Sequence, residues 1–145
     1  MASLFRYSRI LVPTDGSECS CDAAKNAVYL AKELGARVFV LNVIDAPLAF
    51  HAGIHYAESK AEMEKSGRAA TGKIKKLCGD NGVECEELIL EGRPQEVIVD
   101  VAHKEKIDCI ILGTVGMSAI ERVLVGSVSD YVLRNAECPV MLVRK

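Results

Sequence analysis

Glycines and hydroxyl side chains recur in the last third of the chain. The sequence reads GTVG at positions 113–116 and, after nine further residues, GSVS at positions 126–129. Glycine lets a backbone adopt positive φ and approach a ligand closely. The free amides at a helix start attract anions, with the positive end of the helix dipole behind them. The spacing predicts a phosphate-binding loop that leads into a helix; an ordinary turn before an ordinary helix start is the alternative.

Two further polar segments follow apolar runs near the N-terminus. The first run, Ile10 to Val12, leads into PTDGS at positions 13–17, and the second leads into Asn42 to Asp45. Asp15 has two interpretations, a contact to a bound nucleotide or a turn and helix-start residue, and the two roles are compatible.

The elements that must position these segments alternate along the chain. Short apolar runs predict strands at 10–12, 37–44, 83–90, 107–112 and 139–143. Helical spacing and capping residues predict helices at 19–34, at 57–78, from 94 onward and at 127–135. This alternation predicts a parallel sheet with helices on both faces. Ligands of such sheets bind beyond the carboxyl ends of the strands, where the winding reverses, and all three polar segments would lie at that edge.

Length and charge exclude several functional classes. The 145 residues predict one domain, 1–145, and the net charge of -2 arises from 18 basic and 20 acidic residues. Scattered charge of this kind gives no electrostatic footprint for nucleic acid. No apolar run approaches the roughly 20 residues of a membrane span, and the N-terminal run is too short for a signal peptide. We expect a soluble, cytoplasmic protein that binds neither nucleic acid nor membrane.

Cysteine and histidine are expected to have structural roles. The six cysteines come without a secretory signal, and Cys19 and Cys21 lack the spacing of a zinc or redox pair. His51 and His55 have i, i+4 spacing, but Gly53 and a nearby proline favour a loop over a metal-binding helix. We therefore expect no metal bound directly by side chains. His103 is expected to cap a helix end, and Arg122 to be a solvated charge that lies within reach of phosphate.

Three motifs together resemble the universal stress protein family. They are Gly-x2-Gly-x9-Gly-Ser from position 113, ILVPTDGS at 10–17 and CPVMLV at 138–143, and the resemblance extends from about Ser8 to Val143. It implies a Rossmann-like α/β fold, an open five-stranded parallel sheet with strand order 3-2-1-4-5. Members of the family that carry the glycine motif bind ATP. The resemblance therefore implies ATP or another adenine nucleotide as cofactor, with Mg²⁺ or Mn²⁺ held through the phosphates.

The resemblance also implies which positions contact the nucleotide. The adenosine would be bordered by Pro13, Thr14, Asp15 and Val43, and the ribose and phosphates by Leu112, Gly113, Gly116, Gly126, Ser127, Val128 and Ser129. The Ser129 hydroxyl would help to hold phosphate. Val115 departs from the pattern, because relatives frequently place a basic or polar residue there. This change weakens the expectation of tight γ-phosphate binding, although backbone amides can still suffice.

Two functions follow from the resemblance, with a third on the same architecture. The first is a nucleotide-dependent sensor or regulator of the stress response; the second is a nucleotide-independent, dimeric interaction module. A nucleotidyl-transfer or electron-transfer flavoprotein relative is the third. The chain lacks a Gly-x4-Gly-Lys-Ser/Thr loop, so we expect a slow ATPase at most. The last strand, Pro139 to Val143, would lie at the sheet edge and pair with its copy in a homodimer.

Overall fold

A computed structural model of the chain describes residues 3–45, 50, 56–114 and 126–144. The strands are β1 (Arg9–Pro13), β2 (Arg37–Asp45), β3 (Cys85–Gly92), β4 (Cys109–Gly113) and β5 (Val140–Val143). The helices are α1 (Glu18–Leu34), α2 (Tyr56–Asp80), α3 (Pro94–Lys104) and α4 (Ser127–Asn135). Strands and helices alternate in the predicted sequence.

The strands form one parallel sheet with the order β3-β2-β1-β4-β5. This architecture confirms the predicted strand order. The chain winds from β1 outward through β2 to β3, and then crosses back to place β4 on the other side of β1. The winding therefore reverses between β1 and β4, which is where doubly wound sheets bind ligands.

Apolar side chains cover both faces of the sheet, as continuous apolar strands require. On one face, small residues of α1 and the buried Ile74 and Cys78 of α2 pack against β1, β2 and β4. On the other face, Ile98 and Val101 of α3 and Val132 of α4 pack against the same strands. Because helices cover both faces of the sheet, the polar groups that could form a site lie at the ends of the strands.

Several element boundaries differ from those predicted. Helix α2 continues to Asp80, and β3 begins at Cys85 instead of Val83. The difference arises because the α2 end is tied to the turn: the Cys78 carbonyl accepts from the amides of Asn81 and Val83, at 3.0 and 2.9 Å. Gly82 turns the chain with a φ of 68°. Pairing with β2 then carries β3 on to Gly92.

The part of the chain that the structure describes contains neither a membrane-spanning helix nor a cluster of metal-binding side chains. None of its helices is both long and apolar enough to cross a bilayer. The same residues contain no group of three or more metal-binding side chains. His51 and His55 lie outside the described residues. His103 is described, and its Nδ1 lies 3.4 Å from a carboxylate oxygen of Glu137 on the surface.

Candidate functional site

The carboxyl edge of the sheet is stepped, because β2 and β3 continue beyond the end of β1, whereas β4 and β5 end together at Gly113 and Val143. Pro13, the last residue of β1, pairs with Leu41, whereas β2 and β3 remain paired beyond that point to Asp45 and Gly92. β4 ends at Gly113. A notch therefore lies above β1 and β4, at the point where the winding reverses, and β2 forms one wall of it.

The floor of the notch at β1 is a tight turn. Thr14 is buried; its amide donates to Leu41 O at 2.8 Å, and its Oγ1 accepts from the Gly16 amide at 3.2 Å. Gly16 has a φ of 83°, which favours glycine. The Asp15 Oδ1 accepts from the Ser17 amide at 2.9 Å while the side chain remains exposed. The turn role of Asp15 is therefore present in the structure.

Helix α1 begins directly after this turn and is capped by its own sequence. Ser17 is the N-cap, and its Oγ accepts from the Ser20 amide at 3.2 Å. The Ser20 hydroxyl donates back to Ser17 O at 2.8 Å and lies 3.0 Å from Thr14 Oγ1. The start of α1 is thus satisfied by side chains of the chain itself.

A buried amide side chain holds the turn in place. Asn42 on β2 donates from Nδ2 to Thr14 O at 2.9 Å. Gly67 on α2 faces this amide so closely that a Cβ built there would lie 2.8 Å from Asn42 Cγ. Glycine within a helix ordinarily lowers its stability, and this close approach explains its presence at position 67. The signal that identifies its role is a single Asn within an otherwise apolar strand, because a buried amide requires a partner.

The other side of the notch joins the end of β4 to the start of α4. The Thr114 amide donates to Val143 O at 3.1 Å, and the Thr114 carbonyl accepts from the Gly126 amide at 2.7 Å. Ser129 is buried, and its hydroxyl donates to Gly113 O at 2.9 Å. These bonds hold the first turn of α4 against the carboxyl end of β4.

Glycine is required at position 113 by close packing. A Cβ built there would lie 2.7 Å from the Sγ and 3.0 Å from the carbonyl carbon of Cys19, in the first turn of α1. Contacts this short with backbone have no room to relax. Gly113 therefore brings the starts of α1 and α4 to the same strand end.

The start of α4 differs from that of α1, because its N-cap residue is a glycine and has no side chain with which to cap it. Gly126 is its N-cap residue, with φ -70° and ψ 164°, and it makes no side-chain cap hydrogen bond. Ser127 is exposed and Val128 is half-buried. The first amides of a helix have no intrahelical acceptor, so an anion at this position would meet donors and the positive end of the dipole.

Most of the predicted site residues meet at this edge. Those that do are Pro13, Thr14, Asp15, Leu112, Gly113, Gly126, Ser127, Val128 and Ser129. Val43 lies higher on the β2 wall, and its side chain packs against the core on the α3 and α4 face. Gly116, Val115 and Arg122 lie outside the described residues. Sequence reasoning missed Asn42 as the residue that holds the turn.

Comparisons with known proteins agree with this architecture. The model of the universal stress protein family matches residues 6–144. Universal stress protein MJ0531 of Methanocaldococcus jannaschii is 39% identical over 141 residues, which cover 96% of this chain and 83% of that protein.

Solved structures give the same result. The universal stress protein UspA of Lactobacillus plantarum superposes with a TM-score of 0.86 at 29% identity, covering 96% of this chain and 99% of that one. A universal stress protein solved in complex with cAMP has a TM-score of 0.70 at 26% identity, covering 96% of this chain and 98% of that one. With the family match spanning nearly the whole sequence, the chain belongs to the universal stress protein family.

Proposed function

We propose that this protein binds ATP or another adenine nucleotide in the notch above β1 and β4. The observation that carries the proposal is the start of α4. Its N-cap residue, Gly126, has no side chain to cap it, and the 2.7 Å bond between the Gly126 amide and Thr114 O holds it against the end of β4. Uncapped amides at a helix start, beside a glycine-rich strand end, form an anion site suited to phosphate.

The rest of the notch supports this assignment. The turn at Asp15 is held by Asn42 through Thr14 and borders the space between β1 and the β2 wall, where an adenosine would lie beside Val43. A relative of the same fold has been solved with cAMP, an adenine nucleotide. Mg²⁺ or Mn²⁺ would be held through the phosphates, since side chains of the described residues form no metal cluster.

The protein would act as a cytoplasmic stress-response sensor or regulator whose nucleotide state alters its contacts, and not as an efficient hydrolase. Rapid phosphoryl transfer needs a positioned base and a cation on the phosphates. Asp15 is the carboxylate that the β1 turn brings to the notch, and its Oδ1 already accepts from the Ser17 amide. We expect metal-dependent turnover below about 1 per second, under the ordinary enzyme range. Steady-state phosphate release above that rate would contradict this part of the proposal.

Calorimetric titration with ATP tests the binding site. Replacing Gly126 by Val would crowd the phosphate path, and we expect at least tenfold weaker binding, about 1.4 kcal/mol. Gly79→Val is the matched control, because Gly79 lies near the end of α2 and a Cβ there meets no atom within 4 Å. Unchanged affinity in a folded Gly126→Val protein would overturn the site.

Gly113→Val is a poorer test than Gly126→Val. Its side chain would collide with Cys19, whose carbonyl carbon lies 3.0 Å from the position of a Cβ. A loss of affinity in that variant would therefore report disturbed packing as well as a lost site.

Native mass spectrometry separates the proposal from the nucleotide-independent interaction module. Purified protein is expected to carry an adenine nucleotide, or to take up added ATP with the mass of one nucleotide per chain. A protein that remains free of nucleotide at millimolar ATP would favour the interaction module.

The sheet edge at β5 supports a further part of the proposal, a homodimer. β5 pairs with β4 on one side and ends the sheet on the other. An uncovered edge strand invites association, and pairing with a second copy across a two-fold axis closes it. Val140 and Leu142 pack against the chain's own core, whereas Met141 is 39% exposed.

Light scattering tests the dimer. We expect about twice the chain mass of 15.7 kDa at micromolar concentration. Met141→Asp is expected to shift the mass toward one chain, because it places an unpaired charge in the contact without removing core packing. A mass of one chain for the unmodified protein would contradict the dimer.

A further inference from the structure

Two of the six cysteines meet at the end of the molecule opposite the notch. Cys78 lies in the last turns of α2 and is wholly buried, and Cys85 opens β3 and is half-buried. Both belong to the core on the α1 and α2 face. Cys85 packs against the buried cluster that contains Cys78, and each thiol shifts the pKa of the other. Neither cysteine is joined in a disulfide.

The backbone holds the two cysteines at this separation. Val83 and Asn81 both donate their amides to Cys78 O, at 2.9 and 3.0 Å, and Gly82 reverses the chain with positive φ. Cys85 pairs with Val38 of β2 in the sheet. The short connection and its hydrogen bonds keep both cysteines at the same core cluster. A disulfide between them would close a small ring without separating any element of the fold.

Other cysteine thiols contact backbone carbonyls. Cys19 Sγ donates to Val143 O at 3.3 Å, and Cys109 Sγ approaches Ile110 O at 3.8 Å. Burial raises the pKa of Cys109 to about 11, with a further contribution from Cys138. Burial also raises the pKa of Cys138. The raised pKa values keep the Cys109 and Cys138 thiols protonated near neutral pH, and protonated thiols react slowly.

The charges around Cys85 favour its thiolate. The hydrogen bond from Cys78 lowers the pKa of Cys85, and Lys75 on α2 and Arg37 on β2 lower it further, while burial and Glu87 on β3 oppose them. The same hydrogen bond and burial raise the pKa of Cys78. The thiolate is therefore favoured at Cys85, which is also partly exposed, and the protonated thiol is favoured at the buried Cys78.

We propose that Cys78 and Cys85 form a peroxide-reactive dithiol that closes into a disulfide. The accessible partner is the one on the sheet edge: β3 has a single neighbouring strand, and Cys85 at its start is partly exposed. Because Cys78 and Cys85 lie in one core cluster at the two ends of a single tight turn, we expect side-chain movements to close the pair to the S–S distance of ~2.05 Å. This site is separate from the proposed nucleotide notch and stands without it.

The reaction balances with hydrogen peroxide as the oxidant. Cys85 first releases its proton. Its thiolate then attacks one peroxide oxygen, the O–O bond breaks, and the departing hydroxide takes up that proton as water, leaving Cys85 as a sulfenic acid. The sulfur of Cys78 attacks the sulfur of Cys85, the S–O bond breaks, and the departing hydroxide takes the Cys78 proton as a second water. Two thiols are oxidised to one disulfide, and one peroxide is reduced to two waters.

Peptide mapping of the full-length protein after treatment with one equivalent of hydrogen peroxide tests the proposal. We expect two of the six thiols to disappear, a product about 2 Da lighter from the loss of two hydrogens, and a cross-linked peptide that joins Cys78 to Cys85. Reduction should restore both thiols. Retention of all six thiols, or a cross-link between other cysteines or between two chains, would overturn the proposal. This measurement uses the unmodified protein and does not depend on how a variant folds.

Two variants assign the roles of the cysteines. Cys78→Ala should leave the Cys85 sulfenic acid without its partner, so dimedone should label Cys85 after peroxide treatment. Cys138→Ser is the matched control at another half-buried cysteine and should still lose two thiols. A folded Cys78→Ala protein without dimedone at Cys85, or a Cys138→Ser protein that keeps all its thiols, would contradict the assignment.

Discussion

The carboxyl edge of the sheet, where the strands end, and the amino edge, where they begin, use polar groups in different ways. At the amino edge, polar and charged groups of the chain are paired with one another. Asp108 Oδ2 accepts from the Ser8 amide at 2.8 Å, the Ser8 hydroxyl at 2.9 Å and the Arg9 amide at 2.8 Å. The guanidinium groups of Arg9 and Arg37 lie over the Phe39 ring, at 4.6 and 5.2 Å from its centroid. These contacts tie the chain start to β2 and β4.

At the carboxyl edge the polar side chains hold loops and leave a helix start uncapped. Asn42 and Ser129 bond to the carbonyls of Thr14 and Gly113, while α4 begins at Gly126 without a side-chain cap. We therefore expect the amino edge to contribute mainly to the stability of the fold. The carboxyl edge is the one at which we propose that a ligand binds. Substitutions at each edge should therefore change different measured quantities.

The largest effect on stability is expected from Gly67→Ala, because Gly67 packs against Asn42, the residue that holds the turn at the carboxyl edge. The new methyl would collide with the Asn42 side chain, 2.8 Å from its Cγ, and break the bond to Thr14 O. Steric strain plus a lost buried hydrogen bond should lower the free energy of unfolding by about 2–4 kcal/mol. Urea denaturation measures this change.

Gly72→Ala in the same helix is the control for Gly67→Ala. A Cβ at Gly72 meets nothing within 4 Å, so this change should raise stability by about 0.5–1 kcal/mol. Equal effects of the two substitutions would show that helix propensity, and not the Asn42 contact, explains the glycine at 67.

Asp108→Ala removes hydrogen bonds at the amino edge and should have the next largest effect on stability. One carboxylate oxygen accepts three hydrogen bonds there, and their partial exposure limits the expected loss to about 2 kcal/mol of unfolding free energy. Affinity for ATP should remain unchanged, because the notch lies at the other edge. Asp100→Ala on the exposed side of α3 is the control and should change stability by less than about 0.5 kcal/mol. A tenfold loss of ATP affinity in folded Asp108→Ala would contradict the division between edges.

The smallest effects on stability, and the sharpest comparison, come from the two helix starts at the carboxyl edge. Ser17→Ala removes the cap of α1 and should cost about 1 kcal/mol. Gly126→Ser gives α4 a cap and should add a few tenths of a kcal/mol. The new hydroxyl would compete with phosphate for the first amides of α4, so calorimetry should show weaker ATP binding in a slightly more stable protein. Tighter binding by Gly126→Ser would contradict the proposed use of these amides.

Much of the fold could be predicted from local sequence. Alternating apolar runs and helical spacing indicated the five strands and the helices α1 to α4, and α1 ends at Leu34 as predicted, where Gly35 caps it with a φ of 67°. The boundaries of β3 were wrong, because the pairing with β2 that places it between Cys85 and Gly92 connects residues far apart in the chain. Propensity cannot report such pairing.

The sequence motif predicted where the glycines of the candidate site lie. It did not predict the side-chain contacts that hold the site together. The motif located Gly113 and Gly126 beside one strand end. The hydroxyl of Ser129, expected to help hold phosphate, donates to Gly113 O in the structure, and its phosphate role stays a prediction. The contact between Gly67 and Asn42 joins α2 to β2, and no spacing rule within either element indicates it.

The bond between the Gly126 amide and Thr114 O has a consequence for preorganisation. It fixes the first residue before α4 to the end of β4, at 2.7 Å. The start of α4 is therefore ordered before the proposed ligand binds, so its ordering adds no entropic cost to binding there.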